Sequence, residues 1–307
     1  MSTVQSRSAA ARSPLAASWS RSAERHGLDP ATGTSGERLD AAGLKERRER
    51  LEHFMRVAEP RLDRLFGLVG NAGCAVLLTD ADGIVLDQRC PEADEETFQD
   101  WGLCPGSDWS EAAEGTNGIG TCLTERRQVT IHRDEHFLAR NIGMSCMDAP
   151  IFGPDGRLLA ALDVSSARAD QTESYNRLTT AMVEETARAI EADFFRASWP
   201  KARIIVAGEG GAGGGALLAV DADDIVVGAT RDARRAFGLE PDGALKPRPA
   251  PDLFGRGDGP SGFEKGERAA VIRALARANG NVSEAARALG VGRATLYRRM
   301  KRLGLGN

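Results

Sequence analysis

Residues 266–305 read GERAAVIRALARANGNVSEAARALGVGRATLYRRMKRLGL, and three helices can be read off them. Apolar residues at Ala270, Val271, Ala274, Leu275 and Ala278 recur at helical steps over Glu267–Ala278, and Asn279-Gly280 is a stop signal. A short second helix, near Ser283–Leu289, turns Ala285, Ala286 and Leu289 inward, with Asn281 or Ser283 placed to cap its start. Gly290-Val291-Gly292 makes a tight turn with Val291 as its buried plug. The third helix, Arg293–Leu303, buries Leu296, Met300 and Leu303 and exposes Arg293, Thr295, Tyr297, Arg298, Lys301 and Arg302. Small residues where two helices cross, a glycine turn and then a basic helix are the grammar of a helix-turn-helix. In that motif the last helix enters the major groove of double-stranded DNA.

The charge distribution points the same way. The formal net charge of the 307 residues is −4. Residues 264–303 hold ten Lys and Arg against three Glu, a net of +7, which leaves −11 for the rest of the chain. A basic module on an acidic body is the footprint of a DNA-binding segment. Arginine is heavily used, as a GC-rich genome would produce, but such a bias would raise both parts equally. The bland alternative is a solvated three-helix tail that serves oligomerisation.

Other classes are excluded by composition. No apolar run approaches the ~18 residues of a membrane span, and the first residues lack the apolar core of a secretory signal. Five cysteines (Cys74, Cys90, Cys104, Cys122, Cys146) are odd in number, widely spread and without a CxxC pair. That argues against a disulfide framework and a zinc site, and for a cytoplasmic protein with no metal and no cofactor.

Working back from the C-terminus, Arg203–Pro260 is a Gly/Pro-rich zone. It has a flexible tract, GEGGAGGG (Gly208–Gly215), a stiff one at Pro247–Pro251, and between them a hairpin at Ala216–Asp221 and Ile225–Gly228 followed by a helical piece, Asp232–Leu239. Upstream, Leu44–Leu68 has helical periodicity, and two hairpins turn at Asp82-Gly83 and Asp155-Gly156. The strands are Cys74–Thr79 with Ile84–Gln88, and Ala149–Phe152 with Leu158–Ser165. A helical stretch (Ala93–Trp101), a Gly-rich segment and a short strand (Val129–His132) lie between the hairpins, and a long helix, Thr172–Ala197, follows. Hairpins flanked by helices predict an α+β domain with an antiparallel sheet over residues 45–197. Residues 1–44 read as flexible or loosely docked, 198–263 as a linker, and 264–307 as the all-α DNA-binding domain.

The 264–307 segment resembles the helix-turn-helix of the Fis family, which also ends sigma-54-dependent activators. The residues that carry this are Gly280-Asn281, Ser283, Ala285-Ala286, Leu289-Gly290-Val291, Arg293-Ala294-Thr295-Leu296 and Leu303-Gly304-Leu305. The resemblance implies that Arg293 and Thr295 approach bases or phosphates and that Arg298, Lys301 and Arg302 hold phosphates. Gly292 departs from it, because a hydroxyl or amide cap often precedes such helices. In the body, Trp109-Ser110-Glu111, Glu114-Gly115-Thr116-Asn117-Gly118-Ile119-Gly120-Thr121, Glu135-His136-Phe137, Ser145-Cys146, Ala149-Pro150-Ile151 and Leu162-Asp163-Val164-Ser165 are similar to the GAF sensor of acetoin catabolism regulators. Ser18-Trp19-Ser20-Arg21-Ser22 and Gly27-Leu28-Asp29-Pro30 extend that similarity, and 216–239 is similar to the start of the PAS-like segment that follows the sensor. The implied ligand is a small organic effector (an alcohol, ketone or aromatic), with Trp109, Thr116, Asn117, His136 and Cys146 as candidate contacts.

The residues by themselves leave several roles open. GTNGIGT is neither GxxxxGK[ST] nor GxGxxG at a Rossmann turn, so Thr116 and Asn117 either cap a helix or meet the ligand. His132 and His136 are four apart, a metal-like spacing on a helix, but Val129–His132 reads as extended. Cys146 is either a small buried hydrophobe or a redox group, and Trp109 either walls a pocket or fills the core. About 60 residues separate the sensor from the DNA module, with no Walker A and no GAFTGA loop, so the expectation is a regulator that uses no ATP. A homodimer is expected because two modules read a pair of half-sites. Three alternatives remain: a redox-responsive regulator, a modulator acting by mixed dimerisation with a full-length activator, and a GAF-type methionine-sulfoxide reductase.

Overall fold

The strands Ser145–Phe152 and Leu158–Ser166 are buried almost throughout, so neither shows the alternation of a one-faced sheet. Both faces of that sheet are covered. A computed structural model describes residues 13–31, 38–168, 171–207, 215–254, 262–278 and 280–305. Asn279 and most of the glycine tract read from the sequence, 208–214, lie outside the described residues. The chain divides into two compact units, residues 1–247 and 248–307.

In the first unit, α1 (Pro14–Ser20), α2 (Ala41–Arg50) and α3 (Glu52–Val69) precede β1 (Cys74–Thr79) and β2 (Val85–Arg89). Short helices α4 (Glu95–Asp100), α5 (Glu111–Glu114) and α6 (Gly118–Glu125) lead to β3 (Val129–His132), β4 (Ser145–Phe152) and β5 (Leu158–Ser166). The long α7 (Glu173–Ser198) follows. The five strands form one antiparallel sheet in the order β2-β1-β5-β4-β3, the two hairpins joined by β1 against β5. One face is covered by α3 and α7, whose Phe54, Leu62, Leu65, Val183 and Ile190 pack on Val76, Leu78, Met147, Leu162 and Val164. Burying each such leucine contributes about 1.5–3 kcal/mol. The other face lies under α4–α6, where Phe98, Leu103, Trp109, Ile119 and Cys122 meet Ala75, Leu77, Cys146 and Ala161.

Three expectations are corrected by packing. The helix predicted over Leu44–Leu68 is two helices, because Leu51 (φ −108°, ψ 12°) breaks the winding. Part of the segment read as loosely docked is helical: α1 continues into a wide π turn, Arg21–Arg25, and Ser18 and Ser22 are fully buried. Part of the stretch read as linker also belongs to the first unit. There β6 (Arg203–Val206), β7 (Leu217–Val220) and β8 (Ile225–Ala229) pair antiparallel, followed by α8 (Arg231–Ala236). Ala192 and Phe195 of α7 bury Leu217 and Ala219, which ties this meander to the sheet domain.

The second unit holds α9 (Phe263–Arg277), α10 (Val282–Ala288) and α11 (Arg293–Arg302). Val271, Ala274, Ala285, Ala286, Leu296, Met300 and Leu303 form its core. The helix ends are tightly specified. Gly280 (φ +82°) and Gly290 (φ +65°) take the left-handed conformation, and their neighbourhoods close with Gly280 N–H to Leu275 O (2.8 Å) and Val291 N–H to Ala286 O (3.0 Å). Asn281 caps α10, accepting from Ser283 N–H and Glu284 N–H. The first helix begins four residues before its expected start, on the exposed Phe263.

Candidate functional site

Asp148 of β4 and Asp163 of β5 are register partners, and Cys146 and Ser165 are partners one alternation away. Residues two apart on a strand share a face, so all four side chains project to the α6 side of the sheet. All are buried, and the two aspartates show no exposure at all. Gly118, at the start of α6, makes the fit possible, since a Cβ there would overlap the Asp148 carboxylate and Cys146.

The electrostatics of this centre follow from its dryness. With both carboxylates ionised, neither oxygen of Asp148 nor Oδ1 of Asp163 has a donor, whereas Ser165 donates to Asp163 Oδ2 at 2.7 Å. Burial, with the neighbouring Asp163 charge adding to it, raises Asp148 well above the usual carboxylate range, and burial pushes Asp163 up to about 7. A single proton held between the two supplies the missing donor. Burial also holds the Cys146 and Cys122 thiols well above their ordinary value, so neither is a ready thiolate. His136, pushed down to about 4 by burial, faces Cys146 Sγ through Nε2 at 3.4 Å.

The structure separates the candidate ligand contacts read from the sequence. His136 and Cys146 come together at the centre. Asn117 caps α6, its Oδ1 accepting from Gly120 N–H at 2.8 Å. Thr116 is covered by α1, with its hydroxyl 2.8 Å from Ser18 Oγ. Trp109 fills the core, 2% exposed, and donates its indole N–H to Gly102 O. His132 turns to Ser145 Oγ (2.7 Å) and away from His136's partners. Among the described residues no group of three or more His, Cys, Asp or Glu is placed to hold a metal ion.

The α1 segment works as a cover over α5 and α6. Arg21 donates to both oxygens of buried Glu111 (2.8 and 2.9 Å) and also pairs with Glu125 at 2.8 Å. Ser18 donates to Glu111 Oε1 at 2.6 Å. Trp19 donates to Glu135 O and stands edge-on to Phe137, with centroids 5.1 Å apart. Sequence reasoning missed Ser18, Arg21, Glu111, Asp148, Asp163 and Ser165 as site residues. The available signal was a lone acid within the apolar run of each of two strands, SCMDAPIF and LLAALDVSS.

In the second unit α11 divides as the sequence predicts except at Thr295. Leu296, Met300 and Leu303 are buried, while Arg293, Tyr297, Arg298, Lys301 and Arg302 are exposed and Thr295 is half-buried. The Arg293 guanidinium carbon stands 5.6 Å from the Tyr297 ring centroid, which steadies that arginine over one helical turn. Arg302 pairs with Glu267 of α9, as does Arg299 at 3.3 Å, so Arg302 braces the motif. Gly292 precedes α11 and supplies no side-chain cap. No described helix is long and apolar enough to cross a membrane.

Comparison with known proteins agrees with this anatomy. Residues 54–193 match the GAF domain family, and residues 263–303 match the bacterial regulatory protein, Fis family. The acetoin catabolism regulatory protein of Cupriavidus necator is 36% identical over 181 residues, 59% of this chain and 27% of that protein. The propane 2-monooxygenase operon transcriptional activator MimR of Mycolicibacterium smegmatis is 34% identical over 122 residues, 39% of this chain and 21% of that protein. The chain thus aligns with about a quarter of the length of these curated relatives. The E. coli DhaR(N)–DhaL complex contains a chain of like fold, with a TM-score of 0.54 at 15% identity, covering 76% of this chain and 78% of that one. Residues 54–193 are therefore a GAF domain, residues 263–303 are a helix-turn-helix of the Fis family, and the chain is related to the acetoin catabolism regulators.

Proposed function

We propose that this protein is a transcriptional regulator that binds DNA as a homodimer through α11 and senses a small organic effector through its GAF domain. One observation carries the DNA reading: α11 keeps Arg293, Tyr297, Arg298 and Lys301 outward while Leu296 and Met300 lock the helix to its core. A basic helix held rigidly on a helix-turn-helix scaffold is what major-groove docking requires. The experiment is binding of the purified full chain to duplex DNA, with Arg293→Ala as the discriminating variant. A reader of bases loses specific affinity more than non-specific affinity.

Two features support the dimer and effector readings. Leu68 of α3 and Leu178 of α7 are 63% and 68% exposed, and both line a groove of about 630 Å³ with Arg61, Arg64, Glu185 and Asp193 on its walls. Apolar residues flanked by both signs of charge suit a second copy of the same face across a two-fold axis. Tyr175, Met182 and Phe194 of α7 pack on the protein's own core, and Met182 also lines the groove. For the effector, the Asp148–Asp163 centre offers a hydroxyl or carbonyl compound both a donor and acceptors. The high-lying thiols favour this over the redox and reductase readings. Residues 194–262 separate the two matched domains, and regulation without ATP hydrolysis is the reading their sequence supports.

A further inference from the structure

Four arginines of the first unit converge on one cavity. Arg126 and Arg127 follow α6, Arg231 and Arg235 sit four residues apart on α8, and all four line a cavity of about 220 Å³ beside Phe152. Among the described residues none of the four makes an ion pair, while Arg188, also on the wall, is held by Glu184 at 2.6 Å. The cavity includes Ala149, whose side chain joins the α7-side core, so it lies across β4 from Asp148 and is distinct from the polar centre.

The convergence has an electrostatic cost. Burial lowers the Arg231 pKa, and the like charges of Arg235 and Arg126 lower it further. Stacking eases this only in part, with the guanidinium carbon 3.9 Å above the Phe152 ring. Arg126 adds a left-handed backbone, φ 52°, which a non-glycine residue adopts at some cost. Glu191 on the same wall offsets the charge only in part. Its carboxyl accepts from Phe152 N–H at 2.7 Å, yet burial pushes it up to about 8, so it is mostly neutral at pH 7. Asp232 is the remaining carboxylate on the wall.

We propose that this cavity binds a small phosphate-bearing anion, held by the planar forks of Arg127, Arg231 and Arg235. Guanidinium forks match phosphate oxygens geometrically, and an excess of positive charge calls for a multiply charged ligand. The volume equals roughly seven water molecules at ~30 Å³ each. That admits inorganic phosphate or a phosphorylated three-carbon compound. The site lies where the GAF sheet meets the α8 segment, so occupancy clamps the two together independently of the effector centre and of α11.

The test is thermal unfolding of the full chain at constant ionic strength, with inorganic phosphate and glycerol 3-phosphate as probes and succinate as the dicarboxylate control. The α11 arginines also attract phosphate, so two double variants are compared. Both phosphates should raise Tm over chloride, with affinity at least tenfold weaker in Arg127→Gln/Arg235→Gln and unchanged in Arg293→Gln/Arg298→Gln. Without phosphate, Arg127→Gln/Arg235→Gln should be as stable as the wild type or more so. Arg126→Gly, which suits the left-handed backbone, is a second variant that should weaken phosphate severalfold. The proposal is overturned if phosphate does no better than chloride, if succinate does as well, or if only the α11 variant loses the effect. It is equally overturned if Arg127→Gln/Arg235→Gln weakens binding to random-sequence duplex DNA and leaves the phosphate response intact, which would assign the patch to DNA.

Discussion

His136 Nδ1 lies 2.9 Å from Arg133 O, and its Nε2 lies 3.4 Å from Cys146 Sγ. A carbonyl can only accept, so Nδ1 carries the proton and Nε2 of the neutral ring accepts from the thiol. The imidazole is thus built into the core as a neutral group. Its value of about 4, against the ordinary 6.5, means the unfolded chain binds a proton the native one refuses. This stabilisation is complete above pH 6.5 and is lost as pH falls towards 4, by up to roughly 3 kcal/mol. His136→Gln should flatten that acid limb in urea titrations between pH 4.5 and 7. An unchanged slope would place the histidine elsewhere.

Asp163 has the opposite sign. Its native value of about 7 lies above that of the unfolded carboxyl, ~3.9, so the native state holds an extra proton between those values. Stability from this pair is full below pH 4 and declines as pH rises towards 7, against the His136 trend. Asp148→Asn supplies a permanent donor in place of the shared proton and removes one charge. It should stabilise the protein at pH 8 by roughly 1–3 kcal/mol, the scale of an unsatisfied buried polar group. Destabilisation of the variant at pH 8 would show that the two carboxylates do not share a proton.

What was legible in the sequence was whatever lay within one turn or one strand. The α9–α11 motif, both Asp-Gly hairpins and the Asn117 cap are local patterns, and each was read from residues a few positions apart. The Asp148–Asp163 pair depends on the register of β4 against β5, which no single strand reveals. The cover formed by Ser18 and Arg21 rests on Glu111, some ninety residues along the chain. A Ser/Arg/Ala-rich segment without an apolar stripe gives no local sign of docking. Strand β6 carries an apolar run, Ile204-Ile205-Val206, but the glycine tract and not a tight turn lies between it and its partner β7 in the sequence, so no hairpin signal marks it.

Arg21→Ala should release the N-terminal cover. It removes the guanidinium facing a Glu111 carboxylate that is only 3% exposed, and leaves Ser18 as that carboxylate's remaining side-chain donor. Arg21 itself is 23% exposed, so solvent moderates the loss to about 1–3 kcal/mol. Hydrogen exchange over residues 14–25 should accelerate and Trp19 emission should shift to the red. Unchanged protection of that stretch would mean that packing holds it without the ion pair.

Two glycines should respond oppositely to substitution. A Cβ on Gly120 would press against the backbone of Ser110 and Glu111, which cannot move aside, so Gly120→Ala should cost at least 1–3 kcal/mol, about the penalty of overpacking. Gly292 has room, its Cβ meeting nothing nearer than Thr295 Oγ1 at 3.8 Å. Gly292→Ser gives α11 the side-chain cap it lacks and should add a few tenths of a kcal/mol, roughly the Gly-to-Ser difference at an N-cap. Chemical denaturation of both variants checks the pair, and a neutral Gly120→Ala would contradict the close approach of α6 to α5.

The most direct test of a DNA-reading α11 is selection of duplexes from a random pool by the full-length protein, followed by affinity measurements at fixed salt. The selected duplexes should share an enriched two-fold motif with half-sites about one helical turn apart. Arg293→Ala should weaken binding to the selected duplex by roughly tenfold or more, with less than a threefold change on random duplex. A pool that yields no motif, or an Arg293→Ala variant that loses both affinities equally, would contradict that role for α11.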